Sequence, residues 1–224
     1  MSEPGSRRGR VHDAEGAREA IINAAEEVFA EHGFDGARID AIAKVAGYNK
    51  SLLFQYFGDK LGLYAEVLKR ADGELTELQA RLLPPLLEDE TIASNAHQFK
   101  ALLETIVTAV FDYLVEHPRL TRMMLWEQAE GWQTYAKIAS QFTTEDIEQF
   151  EMLFSKVRRA GLLRSGFVPV VQLTMVMQLC LSYIAFLPLY QMLLPAEDVS
   201  SAAALAGARE YITAFVVHGM MVDL

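Results

Sequence analysis

The sequence predicts an all-α protein: an N-terminal three-helix unit carrying a helix-turn-helix, then a larger C-terminal helical bundle. Three observations predict it. Apolar residues recur at helical spacing in almost every segment, Gly and Pro punctuate the chain at helix-length intervals, and no stretch shows the apolar-polar alternation of a half-buried strand.

The first helix is expected over residues 15–32, where Ala17, Ile21, Ala24, Ala25, Val28 and Phe29 share a face and Gly33 supplies the stop. A short helix follows from Ile39 to Val45, broken by Gly47. Asn49 can cap the next one through Phe57, and Asp59 can cap a longer helix that Pro84-Pro85 is expected to close near Leu83. After an acidic loop at Glu88-Asp89-Glu90 come helices near 97–117, 118–130 (Pro118 suits a first helical position) and 144–160. Two long apolar helices, near 169–193 and 198–221, finish the chain. The expected organisation is a disordered basic arm over 1–13, a helix-turn-helix domain over 14–62, and a ligand-binding and dimerisation domain over 63–224.

With 224 residues and 51% hydrophobic content, the chain can bury one large core or two modest ones. Cys180 is the single cysteine, which excludes an internal disulfide framework and any multi-cysteine metal site. His12, His32, His97, His117 and His218 lack metal-ligand spacing, and no nucleophile elbow, phosphate loop or paired catalytic carboxylates stand out. No metal, cofactor or catalytic residue is therefore expected. Ser165–Ala196 carries no charge and is long enough to span a bilayer. Its prolines (Pro169, Pro188, Pro195) and the polar stripe Thr174, Gln178, Ser182 favour a helix buried in a helical interface instead, with no membrane partner. The N-terminus lacks a secretory apolar region, so a cytoplasmic protein is expected.

Ile39–Phe57 carries the functional signal. Two short helices joined by a tight Gly turn are the arrangement in which a protruding helix enters the DNA major groove while its predecessor braces it. Ala43 and Ala46 are small where the helices must approach closely. On a helical wheel Leu53 and Phe57 define the buried side, Ser51, Leu52 and Gln55 face away, and Phe54 and Tyr56 flank them. Lys50 stands in the first turn. Gln55 can pair bidentately with adenine, Lys50 can reach guanine or a phosphate, and Leu52 offers apolar contact to a thymine methyl.

Arg18, Ile21, Ala24-Ala25, Phe29 and Gly33-Phe34, followed by Ile42-Ala43, Ala46-Gly47-Tyr48-Asn49-Lys50, Leu53-Phe54, Tyr56-Phe57, Lys60 and Leu63, resemble the tetracycline-repressor (TetR) family in order and spacing. The resemblance covers Arg18 to about Leu63; beyond it the chain is similar only in helix number and length. It implies a dimeric, ligand-responsive transcriptional regulator, most simply a repressor, on a pseudo-palindromic double-stranded DNA operator. It further implies base reading by Lys50, Ser51, Leu52 and Gln55, with Asn49 at the helix entrance, and phosphate contacts from Phe54, Tyr56 and Lys60. Three positions depart from the family pattern. Arg38 stands where Thr usually caps the second helix, Leu52 replaces a frequent Thr, and Phe54 replaces a frequent Tyr. Arg38 can replace the lost hydroxyl contact with a charge-assisted one.

The net charge of −10 argues against a basic surface over the whole molecule, yet it is unevenly spread. Residues 36–60 carry Arg38, Lys44, Lys50 and Lys60 against Asp40 and Asp59, and Arg7, Arg8 and Arg10 lie in the N-terminal arm. In the bundle, Phe111, Met123, Trp126, Trp132, Phe154, Gln178, Tyr183 and Phe186 are the candidate lining of a cavity for a small lipophilic or aromatic effector. The last two helices combine small residues (Ala202–Ala204, Ala206–Ala208) with Tyr211, Ile212, Phe215 and Val216, which suits a homodimeric four-helix seam. Two other readings stay open at this point: an all-α enzyme or small-molecule carrier, and a helix-turn-helix protein acting on DNA without an effector.

Overall fold

The computed structural model describes residues 6–88, 95–142, 145–164 and 168–222; side chains 6–13, 74–76, 78–88 and 145–147 lie outside the description. The described residues form helices α1 (Ser6–Gly36), α2 (Ile39–Ala46), α3 (Lys50–Phe57), α4 (Lys60–Glu88), α5 (Ala96–Glu116), α6 (Pro118–Ala129), α7 (Gln133–Ile138), α8 (Glu145–Arg159), α9 (Pro169–Leu193) and α10 (Ala202–Met220). The all-α reading holds: the only strand-like pairing among them is an isolated bridge between Leu163 and Met221. α1 begins at Ser6 rather than near residue 15, so the backbone of residues 6–13, expected as part of a disordered arm, is helical, while residues 1–5 lie outside the described residues.

The chain divides into two compact units, each discontinuous in sequence. One comprises Met1–Leu75 and Arg119–Phe142, the other Thr76–Pro118 and Thr143–Leu224. In the first, Ile21, Ala25 and Phe29 of α1, Ile42 and Ala43 of α2, Leu53 and Phe57 of α3, and Leu63, Tyr64 and Val67 of α4 share one core. Met123 of α6 and Ile138 of α7 close that same core. Phe29 and Phe34 both meet the Tyr64 ring in T-shaped contacts, with centroids 4.9 and 5.2 Å away. In the second unit Phe99, Leu102, Leu103 and Ile106 of α5 pack with Phe150, Leu153, Phe154 and Val157 of α8, and with Val217 of α10. Arg209 of α10 holds both carboxylate oxygens of Asp112 on α5 at 2.7 Å.

Most sequence-predicted boundaries survive, and the exceptions have physical reasons. Gly33 does break α1, with φ 67° and ψ −179°, a conformation open to glycine. α4 runs through Pro84-Pro85 to Glu88 rather than stopping near Leu83. A proline's fixed φ is itself helical, so near a helix end it sacrifices one hydrogen bond without forcing an exit. α7 was not expected: it follows Gly131 and Trp132, both at positive φ (69° and 62°), in a turn closed by Trp132 N–H donating to the Glu127 carbonyl at 2.7 Å. Thr144, the expected cap of α8, lies outside the described residues.

Candidate nucleic-acid interface

α2 ends on a Schellman turn. The Tyr48 N–H donates to the Ala43 carbonyl (3.1 Å) and the Gly47 N–H to that of Lys44 (3.4 Å), with Gly47 left-handed at φ 75°. Asn49 then caps α3, its side-chain oxygen accepting from the Leu52 N–H at 2.9 Å. These two devices fix the angle between α2 and α3, and the burial of Leu53 and Phe57 fixes the rotation of α3 about its axis. Of the residues expected to read bases, Lys50, Ser51 and Gln55 are exposed, as is the flanking Phe54. Tyr56 is half-buried, its ring edge-on to Phe57 at 6.0 Å.

Leu52 departs from the wheel. It is half-buried and packs against the core, so its side chain reaches the outer surface only in part. An eight-residue helix gives apolar side chains at its margin room to fold back, which a wheel drawn for an isolated helix ignores.

Two of the cations on this face, Lys50 and Lys60, have partners within the chain. The Lys50 ammonium lies 3.1 Å from Asp40 on α2 and 6.0 Å from the Phe54 ring centroid. Arg38 occupies the N-cap position of α2 without capping it, and it is exposed, which leaves its guanidinium available outward. The Lys60 ammonium sits 4.6 Å over the Phe34 ring and donates to the Asp35 carbonyl at 3.3 Å. Partial burial pulls its pKa below the ordinary lysine value, against the raising influence of Asp35 and Glu130. Lys44 and Tyr48, also exposed beside the turn, complete the surface without having been singled out by the spacing of α3 alone.

Behind the reading head, α1 and α4 are joined by ion pairs, Arg18 with Glu66 and Arg70 with Glu26, and Arg18 also lies 5.6 Å from the Phe57 ring centroid. α6 docks on the same unit. The Trp126 indole N–H donates to the Ala30 carbonyl at 3.2 Å, and Arg119 pairs with Glu27 at 2.9 Å. The Glu127 carboxylate, 3% exposed, accepts from the Tyr64 hydroxyl at 2.7 Å and from the Tyr135 backbone N–H at 3.1 Å. Burial first, and this bond second, push the Tyr64 phenol far above its usual range. Burial likewise raises the Glu130 carboxyl, helped by Asp35 and Glu127.

The eight candidate effector residues do not converge on one cavity. Met123, Trp126 and Trp132 belong to the N-terminal unit: Met123 is core, Trp126 lies on α1, and Trp132 is exposed in the turn before α7. Phe154 is buried in the α5–α8 core, 5.8 Å from Phe99. Phe111, Tyr183 and Phe186 do associate, through a run of rings in which Phe111 meets Tyr183 (5.9 Å), Tyr183 meets Tyr190 (5.6 Å) and Tyr190 meets Phe186 (6.0 Å). Burial raises the Tyr183 phenol. The Gln178 amide donates to Ser182 at 3.1 Å along the expected polar stripe. Cys180 is fully buried, and burial pushes its thiol up to about 12, so it packs as a neutral, small apolar residue. The sequence reading missed an open apolar groove between α9 and α10, with Gln172 in its wall.

Comparison with known proteins agrees with this geometry. Residues 21–67 match the bacterial regulatory proteins of the tetR family, and residues 100–216 match the tetracyclin repressor-like C-terminal domain. The chain is 34% identical over 120 residues to the transcriptional repressor SCO4008 of Streptomyces coelicolor (54% of each chain). It is 31% identical over 118 residues to the repressor NicS of Pseudomonas putida, across 53% of this chain and 51% of that one. The matches thus span about half the length of these relatives. The crystal structure of SCO4942 from Streptomyces coelicolor superposes with a TM-score of 0.61 at 25% identity, over 91% of this chain and 98% of that one. With a helix-turn-helix match at one end and a C-terminal match over most of the rest, the chain belongs to the tetR family of bacterial regulatory proteins.

Proposed function

We propose that this protein is a homodimeric transcriptional repressor that binds a pseudo-palindromic operator and is released by a small apolar or aromatic effector. The outer face of α3 carries the reading: Lys50, Ser51, Phe54 and Gln55 are exposed on a short helix whose opposite side is locked into the core by Leu53 and Phe57. Lys50 and Gln55 supply base contacts in the major groove, Arg38 and Lys60 supply phosphate contacts, and Asn49 fixes the helix entrance. Leu52, half-buried, adds a marginal apolar contact. A protein acting on operator DNA works in the bacterial cytoplasm.

Dimerisation is assigned to α9 and α10. Both expose large apolar side chains, among them Met175, Phe186, Met192, Tyr211 and Phe215, to an extent that suits a covered face. α9 is long and apolar enough to cross a bilayer by composition, but Val176, Cys180 and Leu181 are buried within its own unit, and a helical seam accounts for the remainder. The effector site is assigned to the second unit beside Phe111, Tyr183 and Phe186, with Gln178 as a polar neighbour. Effector and operator would couple as ligands favouring different conformations, each weakening the other equally.

The test is selection of bound fragments from random DNA, followed by release with a library of lipophilic compounds. The expected result is a two-fold symmetric site with half-site centres about 34–36 Å apart. Full-strength binding by a Lys50→Ala/Gln55→Ala variant would sink the assignment of α3.

A further inference from the structure

α3 turns one aromatic ring to the outside. Phe54 is 41% exposed, whereas Leu53 and Phe57 are buried and Leu52 and Tyr56 pack against the core. A ring of this size held outward on a short helix is unfavourable in water and favours an occluding partner. Its surroundings say what that partner carries. Lys50 stands one turn before it, with the ammonium 6.0 Å from the ring centroid and 3.1 Å from Asp40. Lys44 of α2 and Arg38 at the N-terminus of α2 are exposed as well. An apolar ring among cations matches a polyanion that also offers an apolar spot.

Duplex DNA is such a polyanion, and its chemistry narrows the contact. A phenyl ring has no donor for a phosphate oxygen, so Phe54 cannot make the hydrogen bond that a tyrosine makes at this place. The major-groove edges of the base pairs present donors, acceptors and one apolar group, the C5-methyl of thymine. That methyl is the chemical match for the exposed ring.

We propose that Phe54 is a specificity-determining residue that reads the 5-methyl group of a thymine in each half-site. The inference rests on the operator reading above. It gives Phe54 a base contact in place of the phosphate contact that the family resemblance implies. Lys50 shares its face of the helix about 6 Å away, and base pairs stack about 3.4 Å apart. The thymine therefore lies within two base pairs of the guanine that Lys50 contacts.

Deoxyuridine differs from thymidine by this methyl alone, which makes it the probe. Duplexes of the operator recovered by selection are synthesised with single thymines replaced by uracil, then titrated with the full-length protein by fluorescence anisotropy. At one thymine per half-site, uracil should weaken wild-type binding about fourfold, the ordinary worth of burying one methyl group. With both half-sites replaced, the loss should reach about fifteenfold. Phe54→Ala should melt at nearly the wild-type temperature, because the ring is exposed. It should bind the operator more weakly and ignore the uracil replacement, while Phe54→Leu, still apolar, should recover part of the response. A cytosine at the same position should bind more tightly when methylated at C5. Replacing the nearby guanine by 7-deazaguanine should weaken the wild type and not Lys50→Ala, which checks the spacing.

Wild-type affinity indifferent to uracil at every thymine would overturn the proposal and leave α3 in the groove. Equal uracil sensitivity in the wild type and Phe54→Ala would give the methyl to another side chain, such as the half-buried Leu52, and refute the role of Phe54. So would a Phe54→Ala variant that weakens operator and random duplexes alike, since the ring would then lie on the backbone. Failure to select any duplex is a different result: it would sink the repressor reading itself, and this assignment with it.

Discussion

The indole of Trp126 packs against Gly33 so closely that a Cβ on Gly33 would lie 3.0 Å from its Cδ2. The two residues are far apart in sequence, yet this contact seats α6 on the end of α1, where the chain turns toward the helix-turn-helix. Gly33→Ala should therefore destabilise the fold by about 1–3 kcal/mol, through a positive φ that alanine resists and through collision with the indole. Chemical denaturation checks this. In a Trp126→Ala background the collision disappears, and the penalty of Gly33→Ala should shrink to its backbone part.

Tyr64 and Glu127 form the buried polar link of the same unit. Tyr64→Phe removes a donor from a carboxylate that is 3% exposed, which should cost about 1–3 kcal/mol in a denaturation experiment. The pH dependence follows from the raised phenol pKa. Above the ordinary phenol value of 10.0, the unfolded chain loses a proton that the folded chain keeps, so the stabilisation present below pH 10 is lost as pH rises. Tyr64→Phe should flatten that alkaline loss; an unchanged slope between pH 9 and 11 would contradict the assignment.

Asp40 of α2 pairs with Lys50 at the start of α3. Both groups are exposed, so their 3.1 Å pair adds little to stability, and Asp40→Asn should leave the melting temperature nearly unchanged. It frees a cation on the reading face and removes an opposing charge. Operator affinity should rise, and the plot of log affinity against log salt should steepen by about 0.9 if Lys50 then reaches a phosphate. Titration by fluorescence anisotropy at several salt concentrations reads both.

Lys50→Ala and Gln55→Ala should each cost about 1–3 kcal/mol of operator binding and relax preference at the contacted base pairs. Asn49→Ala acts differently, since its side chain touches the backbone of its own helix. Its loss should lower stability by about 1 kcal/mol and weaken all DNA sequences alike, as seen by comparing operator and random duplexes.

The sequence alone determined what is local. Gly33, Gly47 and Asn49 set helix ends through backbone chemistry that acts within a few residues, and Leu53 and Phe57 set the orientation of α3 through their spacing. The N-terminal unit and its outward face were therefore legible before any coordinates, as were the spans of α5, α6 and α9. Tertiary structure decided what depends on distant partners. Leu52 folds back because a core built by other helices offers it a surface. Trp126 and Met123, which look like cavity aromatics and plastic lining in the sequence, are drawn to Ala30, Gly33 and the N-terminal core. Gln172 reads as one more polar residue on an apolar helix, and only its burial without a partner marks it out. Periodicity reports which side of a helix is apolar. It carries no information about which of several apolar surfaces that side will meet, because hydrophobic attraction is non-directional and the choice is made by packing.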